Sequence, residues 1–304
     1  MIDVLALGAI NTDLVATLDR APEAGETTTG TAFGIYGGGK GANQALAAAR
    51  AGAATAILGA LGQDDFGRQR IADLKADGIA IDAVQMRKDA QSGVALITVE
   101  TRTGQNRIAY VPGATLTITP DEAARAVAAT QPRLLLTTLE LPPDAIARAV
   151  ADAKALGATV ILNATPEPEL AAAHLAMIDT LIVNEPEAQI LLGAVSGNDW
   201  ANVARALQGK GPRNVIITLG AKGAVARFGI HEVAFDVPSV NVVDTTGAGD
   251  ALCGAYAAAI AAGEKPEAAL QFGITAGSLA CTVMGAQRSM PHRAAILELQ
   301  ASQK

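Results

Sequence analysis

The chain has 304 residues, of which 50% are hydrophobic, 17% charged and only 3% aromatic, with a formal net charge of −7. Such a composition buries a core and excludes a disordered chain. The acidic balance argues against nucleic acid or an anionic membrane as partner, and the scarcity of aromatics against a base-stacking platform.

The N-terminus, Met1-Ile2-Asp3-Val4, has no basic segment and no cleavage site and reads as a first strand. Short apolar runs predict strands over residues 4–8, 55–61, 134–138, 159–162, 180–183 and 215–219. Helical spacing predicts helices over 42–51, 66–76, 120–129, 144–156, 185–192, 199–208, 249–262, 266–284 and 293–300. The alternation implies an α/β fold, one domain over residues 1–304 with a mainly parallel sheet covered by helices. Alanine, about a fifth of the chain, lets helices pack closely on that sheet.

Two segments break the rhythm. Residues 14–36 and 92–111 alternate like strands with no helix between their strand runs. Val94, Leu96 and Thr98 share one face, Ala95, Ile97 and Val99 the other, so both faces are partly apolar. A small sheet follows, a lid spanning about 12–38 and 91–112, whose second apolar face suits a homodimer. The longest apolar run, near 251–262, is too short and too rich in small residues to span a bilayer. Cys253 and Cys281 are expected as small buried hydrophobes within helices. These features together predict a cytoplasmic protein.

Glycine clusters carry the chemical signal. Gly34-Ile35-Tyr36-Gly37-Gly38-Gly39-Lys40-Gly41 has P-loop spacing but lacks the Ser or Thr after Lys40 that would meet Mg²⁺. Its glycines open a helix whose N–H groups a ligand can approach, with Lys40 and Asn43 beside it; a tight strand–helix turn is the plainer alternative. The second cluster, Asp244-Thr245-Thr246-Gly247-Ala248-Gly249-Asp250, also opens a helix. An uncapped helix start suits a phosphoryl group, and Asp250 is either a favourable N-terminal carboxylate or a base toward a hydroxyl. The first strand leads to Gly8-Ala9-Ile10-Asn11, which is no dinucleotide turn.

On these blocks, together with Pro22, Gly25-Glu26-Thr27, Gly59-x-x-Gly62-x-Asp64, Ser92-Gly93-Val94-Ala95, Leu139-Glu140, Asn184-x-x-Glu187, Thr218-Leu219-Gly220 and Gly285-Ala286-Gln287, the chain resembles the PfkB-type carbohydrate kinase family over essentially its whole length. The resemblance implies a ribokinase-like three-layer α/β sandwich with a small β-sheet lid. It implies transfer of the ATP γ-phosphoryl to a sugar hydroxyl, with D-ribose at O5 favoured over deoxyribose, fructose or a nucleoside; a catalytically silent sugar-binding regulator is the remoter rival. By the same resemblance Asp250 is the base and Gly247, Ala248 and Gly249 the anion hole. Asn11, Asp13, Gly39, Lys40, Asn43 and Glu140 hold sugar hydroxyls. Asn184, Thr218, Gly220, Lys222, Gly223 and Gly249 meet the nucleotide, and Glu187 organises Mg²⁺. Asp244, Thr246, Ala280, Val283, Gly285 and Ser289 hold a monovalent cation, K⁺. Taken alone, Asn184 reads as an ordinary helix N-cap. Phe33 and Tyr36 are the aromatic candidates for stacking a base, and packing within the lid is their plainer role. The sequence departs from the family pattern at Ile274, near the expected purine, at Arg288 in place of Pro, and at Thr115 in place of Asn.

Overall fold

A computed structural model describes residues 1–103, 105–193 and 199–303; Gly104, inside the expected 91–112 lid segment, lies outside them. The chain begins β1 (Val4–Leu7), β2 (Asn11–Leu18), β3 (Gly30–Gly38), α1 (Lys40–Arg50), β4 (Thr55–Leu58), β5 (Ala60–Gly62) and α2 (Asp65–Ala76). It continues with β6 (Gln85–Arg87), β7 (Gly93–Glu100), β8 (Asn106–Val111), α3 (Pro120–Thr130), β9 (Leu134–Thr137), α4 (Pro143–Ala155) and β10 (Thr159–Asn163). Next come β11 (Thr180–Asn184), α5 (Glu185–Leu192), α6 (Trp200–Gln208), β12 (Asn214–Thr218), β13 (Ala224–Phe228) and β14 (His231–Phe235). The last elements are α7 (Ala248–Ala261), α8 (Pro266–Ala280), α9 (Ala286–Ser289) and α10 (Arg293–Ser302).

The large sheet runs β14-β13-β12-β11-β10-β9-β1-β4 and is parallel from β4 to β12. The middles of its parallel strands are apolar on both faces because both faces are covered. Alternate residues divide between two layers: Leu5 and Leu7 pack with α3 and α4, while Val4 packs with α7 and α8. The small sheet runs β3-β2-β7-β8. Arg70 of α2, only 5% exposed, ties it down: Nη1 donates to Thr12 Oγ1 (3.2 Å) and to Tyr36 O (2.9 Å).

Several boundaries differ from the expectations. The run 55–61 breaks at Gly59 into β4 and β5, and 14–36 is two strands, β2 and β3, joined by a loop. The helix expected over 266–284 stops at Ala280, so Cys281 lies just beyond a helix and is only partly buried, whereas Cys253 is buried within α7. The hairpin β13–β14 went unread, its alternation being short and half polar at the sheet edge. Among the described residues no helix is long and apolar enough to cross a membrane.

One contact decides where the chemistry sits. Gly254 of α7 faces α1 so closely that a Cβ there would strike the carbonyl oxygen of Gln44 and the methyl of Ala47. This crossing sets Asn43 and Gln44 of α1 against Asp250, one turn before Gly254 on α7. The C-terminal ends of the parallel strands open on the same place, as open α/β sheets require of their ligand sites.

Candidate active site

Asp250 is 8% exposed. Its Oδ2 accepts from Asn43 Nδ2 at 2.9 Å and its Oδ1 from Gln44 Nε2 at 3.0 Å. Gln44 Nε2 also donates to Asn163 Oδ1 (2.9 Å), at the end of β10. Burial pushes the Asp250 carboxyl up, and the charge of Lys40 with the two amide donors offsets only part of that. Gly247, with φ of 80°, turns the chain into α7, and no side chain caps the helix. The Ala248 N–H is taken by Thr245 O at 3.2 Å, so the open donors of the first turn are those of Gly249 and Asp250. A Cβ on Gly249 would meet nothing within 4 Å, which leaves room there for a ligand.

A cavity of about 140 Å³ joins Asp250, Gly247 and Gly249 to Lys40, Asn163, Thr165, Asn184, Glu187 and Thr218. A roomier cleft of about 760 Å³ lies between the small sheet, α2 and α9, but the buried titratable groups converge on the smaller cavity. Burial alone would lower the Lys40 ammonium; Asp250, Glu140 and Glu187 outweigh it and hold it above its usual value. The Cys253 thiol also lines the cavity, and burial followed by the Asp250 and Glu187 charges raises it well above the thiol range, which keeps it unreactive.

Glu140 does something the glycine pattern did not foretell. Its carboxylate accepts from the N–H groups of Ala9 (2.8 Å), Lys40 (3.1 Å) and Gly41 (3.0 Å) and from Thr138 Oγ1 (3.0 Å). The start of α1 is therefore already filled by a protein anion. Gly39, with φ of 88°, and Gly41 lie against the β1–β2 turn, where a Cβ would strike the backbone of Ala9 or Gly8. The tight-turn reading thus explains these glycines, and Lys40 and Asn43 are what this cluster presents to the cavity and to Asp250. Burial pushes the Glu140 carboxyl up despite those donors.

Asp13 and Asn11 share the face of β2 that Tyr36, Ala95 and Tyr110 continue across the small sheet. Burial raises Asp13 to about 6, against the lowering charge of Arg70 and with a smaller raising contribution from Glu140. Asn11 Oδ1 and Asn43 Oδ1 are buried without a hydrogen-bond partner, a state that costs free energy until a donor arrives.

Asn184 caps α5. Its Oδ1 accepts from Glu187 N (2.9 Å), and Glu187 Oε2 accepts from Asn184 N (2.8 Å), a reciprocal capping box. Burial raises Glu187. Of the nucleotide candidates Thr218 reaches the cavity, while Gly220 and Lys222 are exposed on the following turn and Gly223 is packed against Phe235. Asp244 Oδ1 accepts from Thr246 N (3.0 Å) and Oγ1 (2.7 Å), and Oδ2 from Gly285 N (2.8 Å). Burial pulls Asp244 up, yet these donors prevail and hold it below the usual carboxylate value. Ser289 Oγ is buried and donates to Ala286 O; Ala280 is buried, and Val283 is 44% exposed. Ile274, 3% exposed, lies in the core with Leu252 and Tyr256. Phe33 points away from Asp13 and is 68% exposed, and the Tyr36 ring lies under the Arg288 guanidinium, 5.8 Å from the ring centre. The sequence reading gave no role to Gln44 or Asn163; the signals were a buried amide beside Asn43 and an Asn closing an apolar strand.

The model of the pfkB family of carbohydrate kinases matches residues 1–293. The chain belongs to this family. It is similar to ribokinase of Bacillus subtilis, 36% identical over 98% of this chain and 99% of that protein. It is similar also to deoxyribokinase of Salmonella typhi, 34% identical over 95% of each. Arabidopsis thaliana ribokinase, solved complexed with ribose and ATP, superposes with a TM-score of 0.90 at 30% identity, covering 98% of both chains. The fold is therefore ribokinase-like, and the chain is a sugar kinase.

Proposed function

We propose that this kinase transfers the γ-phosphoryl of ATP to O5 of D-ribose, giving D-ribose 5-phosphate and ADP. The observation that carries the reading is Asp250, a buried carboxylate held by two amides beside an uncapped helix start. Asp250 takes the proton of the sugar hydroxyl as the new O5–P bond forms and the bond from γ-phosphorus to the β–γ bridging oxygen breaks. Gly247, Ala248 and Gly249 form the turn that cradles the phosphoryl charge. In such a loose transition state the proton leaves late, so a carboxylate of modest basicity suffices.

Asn11, Asp13, Gly39, Lys40, Asn43 and Glu140 form the sugar end, where paired acceptors and amides suit vicinal hydroxyls. Glu140 acts there mainly by fixing the backbone of residues 39–41. Asn184, Thr218, Gly220, Lys222 and Gly223 flank the nucleotide. Glu187 brings a half-buried carboxylate into the cavity, which fits a hard ion: it would hold Mg²⁺, and the bound ion would neutralise phosphate charge. Asp244, with Thr246, Ser289 and the backbone of Ala280, Val283 and Gly285, offers an all-oxygen set that fits K⁺.

The small sheet serves as a lid, and its outer face, with Phe33, Ile35, Leu96 and Val111 at least half exposed, supports a homodimer through the lid. The outward Phe33 and the occupied Tyr36 argue against a stacked nucleoside. The Salmonella relative makes 2-deoxyribose the second substrate to weigh. The test is a panel of ribose, 2-deoxyribose, fructose and nucleosides with ATP and Mg²⁺, with and without K⁺. The expected product is D-ribose 5-phosphate, identified by ³¹P NMR; ribose inert beside another active sugar refutes the substrate, and light scattering checks the dimer.

A further inference from the structure

The small sheet is mounted on α2 at both sides of β2. Arg70 Nη1 donates to Thr12 Oγ1 (3.2 Å) on β2 and to Tyr36 O (2.9 Å) on β3, while Asp73 Oδ2 accepts from Arg70 Nε (3.0 Å) and Nη2 (2.6 Å). β3 is an edge strand, so its outer carbonyls have no neighbouring strand to serve them. On the other side of β2, Asp64, the N-cap of α2, accepts from Ser92 N (2.8 Å) and Ser92 Oγ (2.7 Å), just before β7. The two strand contacts of Arg70 bracket Asp13: Thr12 precedes it, and Tyr36 is its cross-strand partner. The Asp13 carboxylate in turn rests on β3, where a Cβ on Gly38 would strike both of its oxygens. Thr12 points to the face of the sheet opposite Asp13, and Arg70 does not line the cavity at Asp250.

We propose that Arg70 is a positioning residue for Asp13: from the far face of the small sheet it clamps β2 and β3 around that residue and so fixes the carboxylate that meets the sugar. Arginine suits the place because its planar fork engages both strands and Asp73 at once, which a lysine ammonium does not match. The charged and titratable groups about Asp13 are Arg70 with Asp73 on α2, Glu140 beyond β9, and Tyr36 and Tyr110 on its own face of the sheet, with Arg288 over the Tyr36 ring. Among them Arg70 opposes the burial that raises Asp13, so its charge acts in the same sense as its grip. The inference rests on the reading of Asp13 as a sugar contact and names the residue that sets its geometry.

The test is steady-state kinetics against pH. In Arg70→Met the KM for D-ribose is expected to rise about 3- to 10-fold on the alkaline plateau, the scale of the lost hydrogen bonds, with kcat and the KM for ATP unchanged. The acid limb of the sugar KM, at about 6 in the parent, moves up by about 0.5–1 pH unit because a nearby cation is gone. Arg70→Lys keeps the charge and leaves the limb in place while still raising the KM. Asp73→Asn keeps the guanidinium and removes its counter-charge; it moves the limb down and serves as the test if Arg70→Met fails to fold. In an Asp13→Asn background, Arg70→Met adds less than about 2-fold to the sugar KM, because the residue it acts through is gone. Independent losses in the double variant, a limb that neither Arg70→Met nor Asp73→Asn moves, or an equal rise in the KM for ATP overturns the assignment. A parent chain that phosphorylates no pentose, or an Asp13→Asn variant with the parent's sugar KM, overturns instead the reading beneath it.

Discussion

Replacing Gln44 with Met tests whether the amides around Asp250 tune a base. Gln44 is fully buried, and its Nε2 supplies one of the two side-chain hydrogen bonds that Asp250 receives. A hydrogen bond to an ionised group contributes about 1.5–3 kcal/mol. Since 1.36 kcal/mol corresponds to one pH unit, its loss moves the acid limb of the kcat/KM profile upward by about 1–2 pH units. The direction is fixed: burial already opposes ionisation of Asp250, and Gln44 is one of the groups that resist it. Methionine is close in volume, and the substitution also deletes the unpartnered Gln44 Oε1. Where Asp250 is protonated the folded state therefore keeps its stability to within about 1 kcal/mol despite losing the bond to Asn163, and where it is ionised the lost bond lowers stability by about 1.5–3 kcal/mol. The assay is kcat/KM for the sugar from pH 5 to 9, with thermal melts at each end. On the alkaline plateau, where Asp250 is ionised in both proteins, the rates converge. An acid limb that stays put or moves downward, with the melt unchanged, refutes the argument.

Three further outcomes are expected. Asp250→Asn lowers kcat by about 10²- to 10⁴-fold, the scale of a lost general base, while calorimetry still detects sugar binding; near-normal turnover removes Asp250 from that role. Asp13, raised to about 6 mainly by burial, is stabilising at low pH and loses that contribution as pH rises from about 4 through 6; Asp13→Asn therefore melts higher than the parent by about 2–3 kcal/mol at pH 7.5 but not at pH 4, and binds sugar more weakly. In the parent, the sugar KM rises as the pH falls through 6. Gly254→Ala loses about 1–3 kcal/mol in a denaturant titration from overpacking against Gln44 O and Ala47, even though alanine is the better helix former by about 1 kcal/mol; a stabilised variant would show that the α1–α7 contact has slack.

The parallel core was legible because strands buried on both faces read as apolar runs, and the helices because their apolar positions recur at helical spacing. The place of Asp250 was legible because it is local: a carboxylate in the first turn of a glycine-led helix. Gln44 was not, because its role depends on a crossing with a helix some 200 positions away along the chain. The backbone contacts of Glu140 were not legible either, since no spacing reveals that three backbone N–H groups from two other segments close on it. Ile274 looked like a gap in nucleotide recognition only while its side chain was assumed to face the ligand; it faces the core.

The carboxylate seated on the start of α1 bears on the direction of the reaction. Three helix starts line or adjoin this site, and each attracts negative charge by the same dipole. Glu140 occupies that of α1 and the Asn184–Glu187 capping box closes that of α5, which leaves the start of α7 without a side-chain cap. On the proposed reading, the donor and acceptor ends are then distinguished before any part of the protein moves.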